Sequence, residues 1–331
     1  MEDFFEMGLE LAGATEATAR SLMPYSGKNN KLLADQIAVE TLRNKLNAID
    51  YKLRIIIGEG EKDNAPMLYG GEILGRKHKS EQIDFDIIVD PLECTTNFAR
   101  GLQDSMCVLG AFPVDSITEI PGTYMEQLLL PPEMNKLLPN TINFETPVEK
   151  VIALTSRAIQ RPANTITVAV QDRPRHHELI KQIRATGAGV ALIDSGSIST
   201  ALKIMTGNSQ RINLLWGIFG APEGLIIASM ARLSGFGFIG RLSPHDQKSS
   251  TETRQLGLEK KTLRSEEWVS NNGVLVMSGI HTSPLLPGVE YLTNSSSLRT
   301  HTLVWSPTRF AMITHRDGTQ ENIEYRKIAS A

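Results

Sequence analysis

The chain is poor in features that define whole classes of protein. Two cysteines, Cys94 and Cys107, cannot build a disulfide framework in 331 residues. There is no basic excess: 34 Lys and Arg stand against 37 Asp and Glu, a formal charge of -3. Nothing here tracks phosphates along a duplex, so no nucleic-acid partner is expected. No window approaches the ~18–20 consecutive apolar residues of a membrane span. The longest candidate, Leu225 to Met230, soon meets Arg232, so no membrane contact is expected. Glu2 and Asp3 stand where a signal peptide has a basic region, and the cytoplasm is the expected compartment. Internal repeats and low-complexity tracts are missing too. What is present, 41% hydrophobic and 21% charged residues, suits a globular protein with a large core.

Periodicity divides the chain in two. Phe5, Leu9 and Ala12 predict a first helix that stops near Gly27, and Val39, Leu42, Leu46 and Ile49 predict the buried face of a second. Short apolar runs at Leu53–Ile57, Phe85–Val89, Met106–Phe112 and Gln127–Leu130 read as strands of a mostly antiparallel sheet. Prolines 131, 132, 139, 147 and 162 mark a connection or surface excursion, as does the polar stretch after Ser243. From Thr165 onward strands alternate with helices of about ten residues, which predicts parallel β-α-β units. The expected fold class is therefore α/β, an α+β half over 1–160 and an α/β half over 161–331. The β-rich tail at Val274–Met277, Thr302–Ser306 and Phe310–Thr314 could pack on either half.

Two segments place carboxylates where a strand stops. Gly58-Glu59-Gly60-Glu61-Lys62-Asp63 follows one, and Asp90-Pro91-Leu92-Glu93 follows another. Side chains at strand ends leave the core and converge on crevices. Asp90 and Glu93, three apart around a Pro-initiated turn, can point at one cation. A solvated loop looks similar, and two such segments behind hydrophobic strands favour the ligand reading. Carboxylates without His or Cys clusters select Mg²⁺ or Mn²⁺ over Zn²⁺. Glu223, just after Pro222, sits where a first helical turn favours negative charge. Arg173-Pro174-Arg175-His176 between a strand and a helix suits a phosphate as well as a solvated basic turn, with His176 a phosphate or capping contact. Neither cysteine lies in a Cys/His/Asn set, so no thiol nucleophile is expected.

Asp90-Pro91-Leu92-Glu93-Cys94-Thr95-Thr96-Asn97-Phe98 resembles the D-P-[IL]-[DE]-G-T signature of the lithium-sensitive, metal-dependent sugar phosphatases. Gly58-Glu59-Gly60-Glu61, Asp63-Asn64-Ala65-Pro66-Met67-Leu68-Tyr69, Tyr124-Met125-Glu126, Arg173-Pro174-Arg175-His176 and Gly220-Ala221-Pro222-Glu223-Gly224 narrow the likeness. Together they resemble the class II fructose-1,6-bisphosphatases, including the dual fructose/sedoheptulose enzymes of cyanobacteria.

The resemblance implies a layered α-β-α-β-α fold and hydrolysis of the 1-phosphate of a sugar bisphosphate, in gluconeogenesis or related carbon metabolism. It implies Mg²⁺ or Mn²⁺ held by Asp35, Glu59, Asp90, Glu93 and Glu223. Thr95 would polarise the attacking water with an acidic partner, and Glu61 and Asp63 would either support the metal ligands or transfer protons. Thr95, Tyr124, Arg173 and Arg175 would hold substrate, and a homo-oligomer, dimer or tetramer, is implied. The chain departs from the pattern at Cys94, where the family has Gly, at Asn30, at Phe219, and at Ser195-Gly196-Ser197, where the family's D-G-D meets sugar hydroxyls. Ser195 and Ser197 would take that role here. These departures leave a second expectation: a weakly catalytic relative that binds a phosphorylated metabolite or acts on another sugar phosphate.

Overall fold

Asn30 starts the second helix by accepting the Leu33 amide on its side chain at 3.1 Å, and from there Ala34, Ala38, Val39, Leu42 and Leu46 form one buried stripe. That helix, Lys31–Leu46, lies beside a first helix, Phe4–Leu22. The structure is a computed structural model that describes residues 4–58, 68–79, 81–207, 211–293 and 295–326. The chain folds as two units: the part up to Ile117, completed by the segment Asn271–Lys327, and the segment Thr118 to Ser270.

Among its described residues the first unit carries a nine-stranded sheet. From one edge its strands are Thr319–Tyr325, Phe310–Arg316, Leu298–Trp305, Val274–Gly279, Met106–Phe112, Phe85–Glu93, Leu53–Ile57 and Ile73–Leu74, with Glu290–Tyr291 beside Leu298–Trp305. Pairing is antiparallel except between Leu53–Ile57 and Phe85–Glu93. The two helices cover one face, where Leu11, Leu42, Leu46, Ile55, Ile87, Val89, Leu109 and Val276 share a core. Each such side chain contributes about 1.5–3 kcal/mol when fully buried. The tail joins this sheet because Val274–Gly279 pairs along the length of Met106–Phe112.

The second unit holds a six-stranded sheet in the order Leu263–Arg264, Gly237–Ser243, Tyr124–Leu130, Leu214–Gly220, Thr167–Gln171 and Gly189–Ile193. The last three are parallel, as their β-α-β rhythm predicts. Tyr124–Leu130 is hydrogen-bonded between Leu214–Gly220 and Gly237–Ser243. The chain therefore changes units at 117/118 and not at residue 160. Helices Val148–Ala158 and His177–Ala185 pack on one sheet face around Leu128, Val168, Val170 and Trp216. Helices Ser197–Met205 and Ala221–Ser234 take the other face.

The expected surface excursion between 130 and 162 instead contains helix Val148–Ala158, which buries Val148, Val151, Ile152 and Thr155. Its prolines lie outside the helix interior. Pro147 is the N-cap and Pro162 follows the end, so they bound the helix without breaking it. The polar stretch after Ser243 likewise holds a helix, Gln247–Gln255, started by a capping box between Asp246 and Ser249.

Candidate active site

In the first unit, Leu53–Ile57 and Phe85–Glu93 run parallel, so both send their carboxyl ends to the same sheet edge. Asp90 and Glu93 lie at that edge, inside the strand and not on a turn after it. The reason is a bulge. Asp90 pairs with Val108 while Glu93 pairs with Met106, three residues advanced on one strand against two on its neighbour. Val108 and Met106, two apart, share a face, and directly opposed residues point to the same side. Without the extra residue Asp90 and Glu93 would face opposite sides; with it both carboxylates project from the face away from the Val89 and Leu109 core. The Leu92 amide donates to Asp90 Oδ1 at 3.2 Å and holds the bulge. Glu93 is 5% exposed.

The chain then turns at Cys94, whose φ of 66° and ψ of 40° are left-handed, into the short helix Thr95–Ala99. The resemblance puts glycine at this position, and a Cβ is disfavoured at this φ. The Thr95 hydroxyl lies 3.1 Å from Asp35 Oδ1 and 2.9 Å from the Leu92 carbonyl. Lys31 Nζ donates to Thr96 Oγ1 at 2.8 Å. The Gly27 and Asn29 amides donate to the Phe98 and Ala99 carbonyls at 3.0 and 2.8 Å. The start of the second helix and the loop before it thus hold the Thr95 helix in place. Burial, with Asp90 nearby, pushes the Cys107 thiol far up, so it is not poised as a thiolate. Glu59, Glu61 and Asp63 lie outside the described residues.

In the second unit the parallel strands ending at Gln171, Ile193 and Gly220 share a carboxyl edge, and Tyr124 begins the antiparallel strand beside Gly220. That edge brings Tyr124, Arg173, Arg175, the Ser195–Ser197 turn and Glu223 to one end of one sheet, the usual ligand end of an open α/β sheet. The Arg175 Nε and Nη2 donate to the Ile218 carbonyl at 3.0 and 2.9 Å, and Nη2 also to Gln171 Oε1 at 2.7 Å. Its guanidinium lies over the Tyr124 ring, 4.9 Å from the centroid. Arg173 donates to the Asp172 and Asp194 carbonyls, both at 2.8 Å. The two arginines are thus locked to backbone before any ligand arrives. Gly196 turns the chain with φ of 88° between half-buried Ser195 and buried Ser197.

Glu223 sits in the first turn of Ala221–Ser234, capped by Gly220. Its carboxylate folds back over Gly220 and fills the space that a Cβ there would need. Gln127, fully buried in the neighbouring strand, donates to the Gly220 carbonyl at 3.0 Å. A lone glutamine in a strand pattern carries no such signal. Nor does His245, which meets the Tyr124 ring edge-on at 5.3 Å.

His176 is not a phosphate contact. It is 1% exposed, its Nδ1 is 2.8 Å from the Gln171 carbonyl, and its Nε2 accepts from the Ile218 amide at 2.8 Å. The neutral ring cross-links two strand ends, and burial pushes its pKa down. A cleft of about 330 Å³ opens beside it, lined in part by Arg175, Trp216, Gln182, Glu126 and Glu145. Arg241 pairs with both of those carboxylates, and burial raises the Glu126 pKa against that pull.

Among the described residues no group of three or more His, Cys, Asp or Glu is gathered closely enough to hold a metal ion. The carboxylate donors of the first edge nonetheless match a hard cation in kind, and the bulge turns Asp90 and Glu93 to one side. No helix among the described residues is long and apolar enough to cross a membrane.

Comparison with known proteins covers the whole of this arrangement. The family model described as bacterial fructose-1,6-bisphosphatase, glpX-encoded, matches residues 5–315. A D-fructose 1,6-bisphosphatase class 2/sedoheptulose 1,7-bisphosphatase of Synechococcus sp. (strain JA-2-3B'a(2-13)) is 36% identical, over 95% of this chain and 97% of its own. Proteins of the same description are 35% identical in Synechocystis sp. (strain ATCC 27184 / PCC 6803 / Kazusa), over 91% and 92%, and 32% identical in Trichodesmium erythraeum (strain IMS101), over 97% and 99%. With a match that takes in the bulged Asp90 strand, the Arg175 turn and the Glu223 helix alike, the chain belongs to the bacterial fructose-1,6-bisphosphatase family.

Proposed function

We propose that this protein is a Mg²⁺- or Mn²⁺-dependent phosphatase that removes the 1-phosphate of fructose-1,6-bisphosphate, with sedoheptulose-1,7-bisphosphate as a second substrate. It would work in the cytoplasm, in gluconeogenesis or related carbon metabolism, as a homo-oligomer. The family is one of metal-dependent phosphatases. The observation that carries the reading is the one-residue bulge that turns Asp90 and Glu93 to the same face of the sheet.

Phosphate monoesters hydrolyse very slowly, so the protein must neutralise charge on the transferring group and supply a nucleophile. Asp90 and Glu93, with Asp35 and Glu59 as further carboxylates, would hold a divalent cation, which would supply both the charge and a more acidic water. Thr95 then orients the attacking water through its hydroxyl. Asp35 accepts from that hydroxyl and fixes its direction. Arg173 and Arg175 bind the remote phosphate with donors that their backbone ties leave over. Tyr124 and the hydroxyls of Ser195 and Ser197 contact the sugar. Serine hydroxyls both donate and accept, whereas the family's aspartates only accept when ionised, so sugar hydroxyls meet different partners here. Glu61 and Asp63 are proposed for proton transfer, and Glu223 as a further metal carboxylate.

The test is phosphate release from fructose-1,6-bisphosphate and sedoheptulose-1,7-bisphosphate, with Mg²⁺ and Mn²⁺ each titrated after chelation. Metal-dependent release that Asp90→Asn abolishes, with thermal unfolding unchanged, is the expected result. Equal turnover by wild type and Asp90→Asn would show that the activity comes from elsewhere.

A further inference from the structure

The second unit ends at one side on Gly189-Val190-Ala191-Leu192-Ile193, a strand with no charged residue and no proline. Among the described residues it pairs only with Thr167–Gln171, and Leu192 is 47% exposed. Apolar edge strands of this kind recruit another strand unless charge, proline or a bulge blocks them, and none does here.

The hydrogen-bond register fixes what the edge presents. The Gly189 amide donates to the Ile166 carbonyl at 2.8 Å, and the Ile193 carbonyl accepts from the Asp172 amide at 2.9 Å. In a parallel ladder this turns the backbone groups of Gly189, Ala191 and Ile193 inward. Those of Val190 and Leu192 point outward, with no partner among the described residues. Past this point the edge is closed, because the Asp194 carbonyl accepts from Arg173.

We infer that this edge is the surface on which two copies of the chain assemble, strand against strand, antiparallel about Ala191. The inference rests on the homo-oligomer proposed above and names its contact. Symmetry supports a second copy as the occupant. With Ala191 on the two-fold axis, Val190 meets Leu192 of the second copy, and both residues have outward-facing N–H and C=O groups. Each such pair exchanges both of its backbone bonds. Gly189 falls opposite Ile193, so no charge enters the ladder. A shift of one residue would set outward groups against inward ones and lose the bonds. Pairing also covers Leu192, and the two six-stranded sheets become one.

Sedimentation velocity of the full chain over a range of concentrations tests the inference. Leu192→Lys puts a charge into the ladder at an exposed position. Val190→Pro removes an outward N–H that no bond among the described residues uses, which an edge strand tolerates. The expected result is a wild-type assembly whose mass drops to half in both variants, with far-ultraviolet circular dichroism unchanged. Amide exchange gives a second reading: Val190 and Leu192 are protected in wild type and exchange at least tenfold faster in Leu192→Lys. Folded variants that keep the wild-type mass and protection would overturn this contact while leaving the homo-oligomer in place. A wild type that is monomeric throughout would overturn both.

Discussion

The Thr95 hydroxyl and the Asp35 carboxylate stand 3.1 Å apart, joining residues sixty positions apart in the chain. The bond links the helix after the bulged strand to the start of the second helix. Asp35→Asn keeps an acceptor for Thr95 and removes the charge. It is expected to raise the half-saturating Mg²⁺ or Mn²⁺ concentration by ~10–100-fold, with thermal unfolding shifted little. Metal titration of phosphate release measures this, and an unchanged metal curve would leave Asp35 as an orienting group alone.

Gly220→Ala separates stability from activity. The backbone at Gly220, φ -60° and ψ 139°, accepts alanine, so the unfolded-state effect should stabilise the protein by about 0.4–1 kcal/mol. The new Cβ would collide with Glu223 Oε2, and the carboxylate has to move. A displacement of about 1 Å at a reacting centre can cost ~10²-fold. The expectation is a variant that melts no lower than wild type and turns over ~10²-fold more slowly. Full activity would exclude Glu223 from the metal set.

At Cys94 the left-handed φ of 66° makes glycine the residue without strain. Relief of about 1–2 kcal/mol is opposed by glycine's entropy of about 0.5–1 kcal/mol and by the loss of a buried thiol. Stability should therefore change little. Cys94→Gly also clears a Cβ and a sulfur from beside Thr95, so phosphate release should rise. Slower release than wild type would show that the thiol does not obstruct the site.

His176 predicts a pH dependence of stability. Burial holds its native pKa below the unfolded value of about 6.5. The stabilisation is complete above that unfolded value and is lost as pH falls toward the lowered native one, where the unfolded chain takes up the proton first. Burial pushes His281 and His301 down in the same way, so His176 accounts for part of the slope. Denaturation midpoints compared at neutral and mildly acidic pH should fall less steeply in His176→Gln than in wild type. Parallel slopes would remove His176 from the account.

The sequence by itself determined most of the strands, the parallel β-α-β run and the family. Each of these rests on local periodicity or on motifs a few residues long. Leu53–Ile57 and Met106–Phe112 appear with the bounds that their short apolar runs predict. Tertiary structure decided what depends on partners distant in the chain. Val148–Ala158 was hidden among prolines because those residues mark where a helix stops and say nothing of the sheet face it covers. The tail's membership followed from pairing with Met106–Phe112, a neighbour far back in the chain. Whether Asp90 and Glu93 share a face is settled by register against Val108 and Met106, since a single inserted residue reverses every side chain beyond it. Only the packed neighbours could show that His176 is a cross-link between strands, because its two bonds go to backbone groups that its own segment does not reveal.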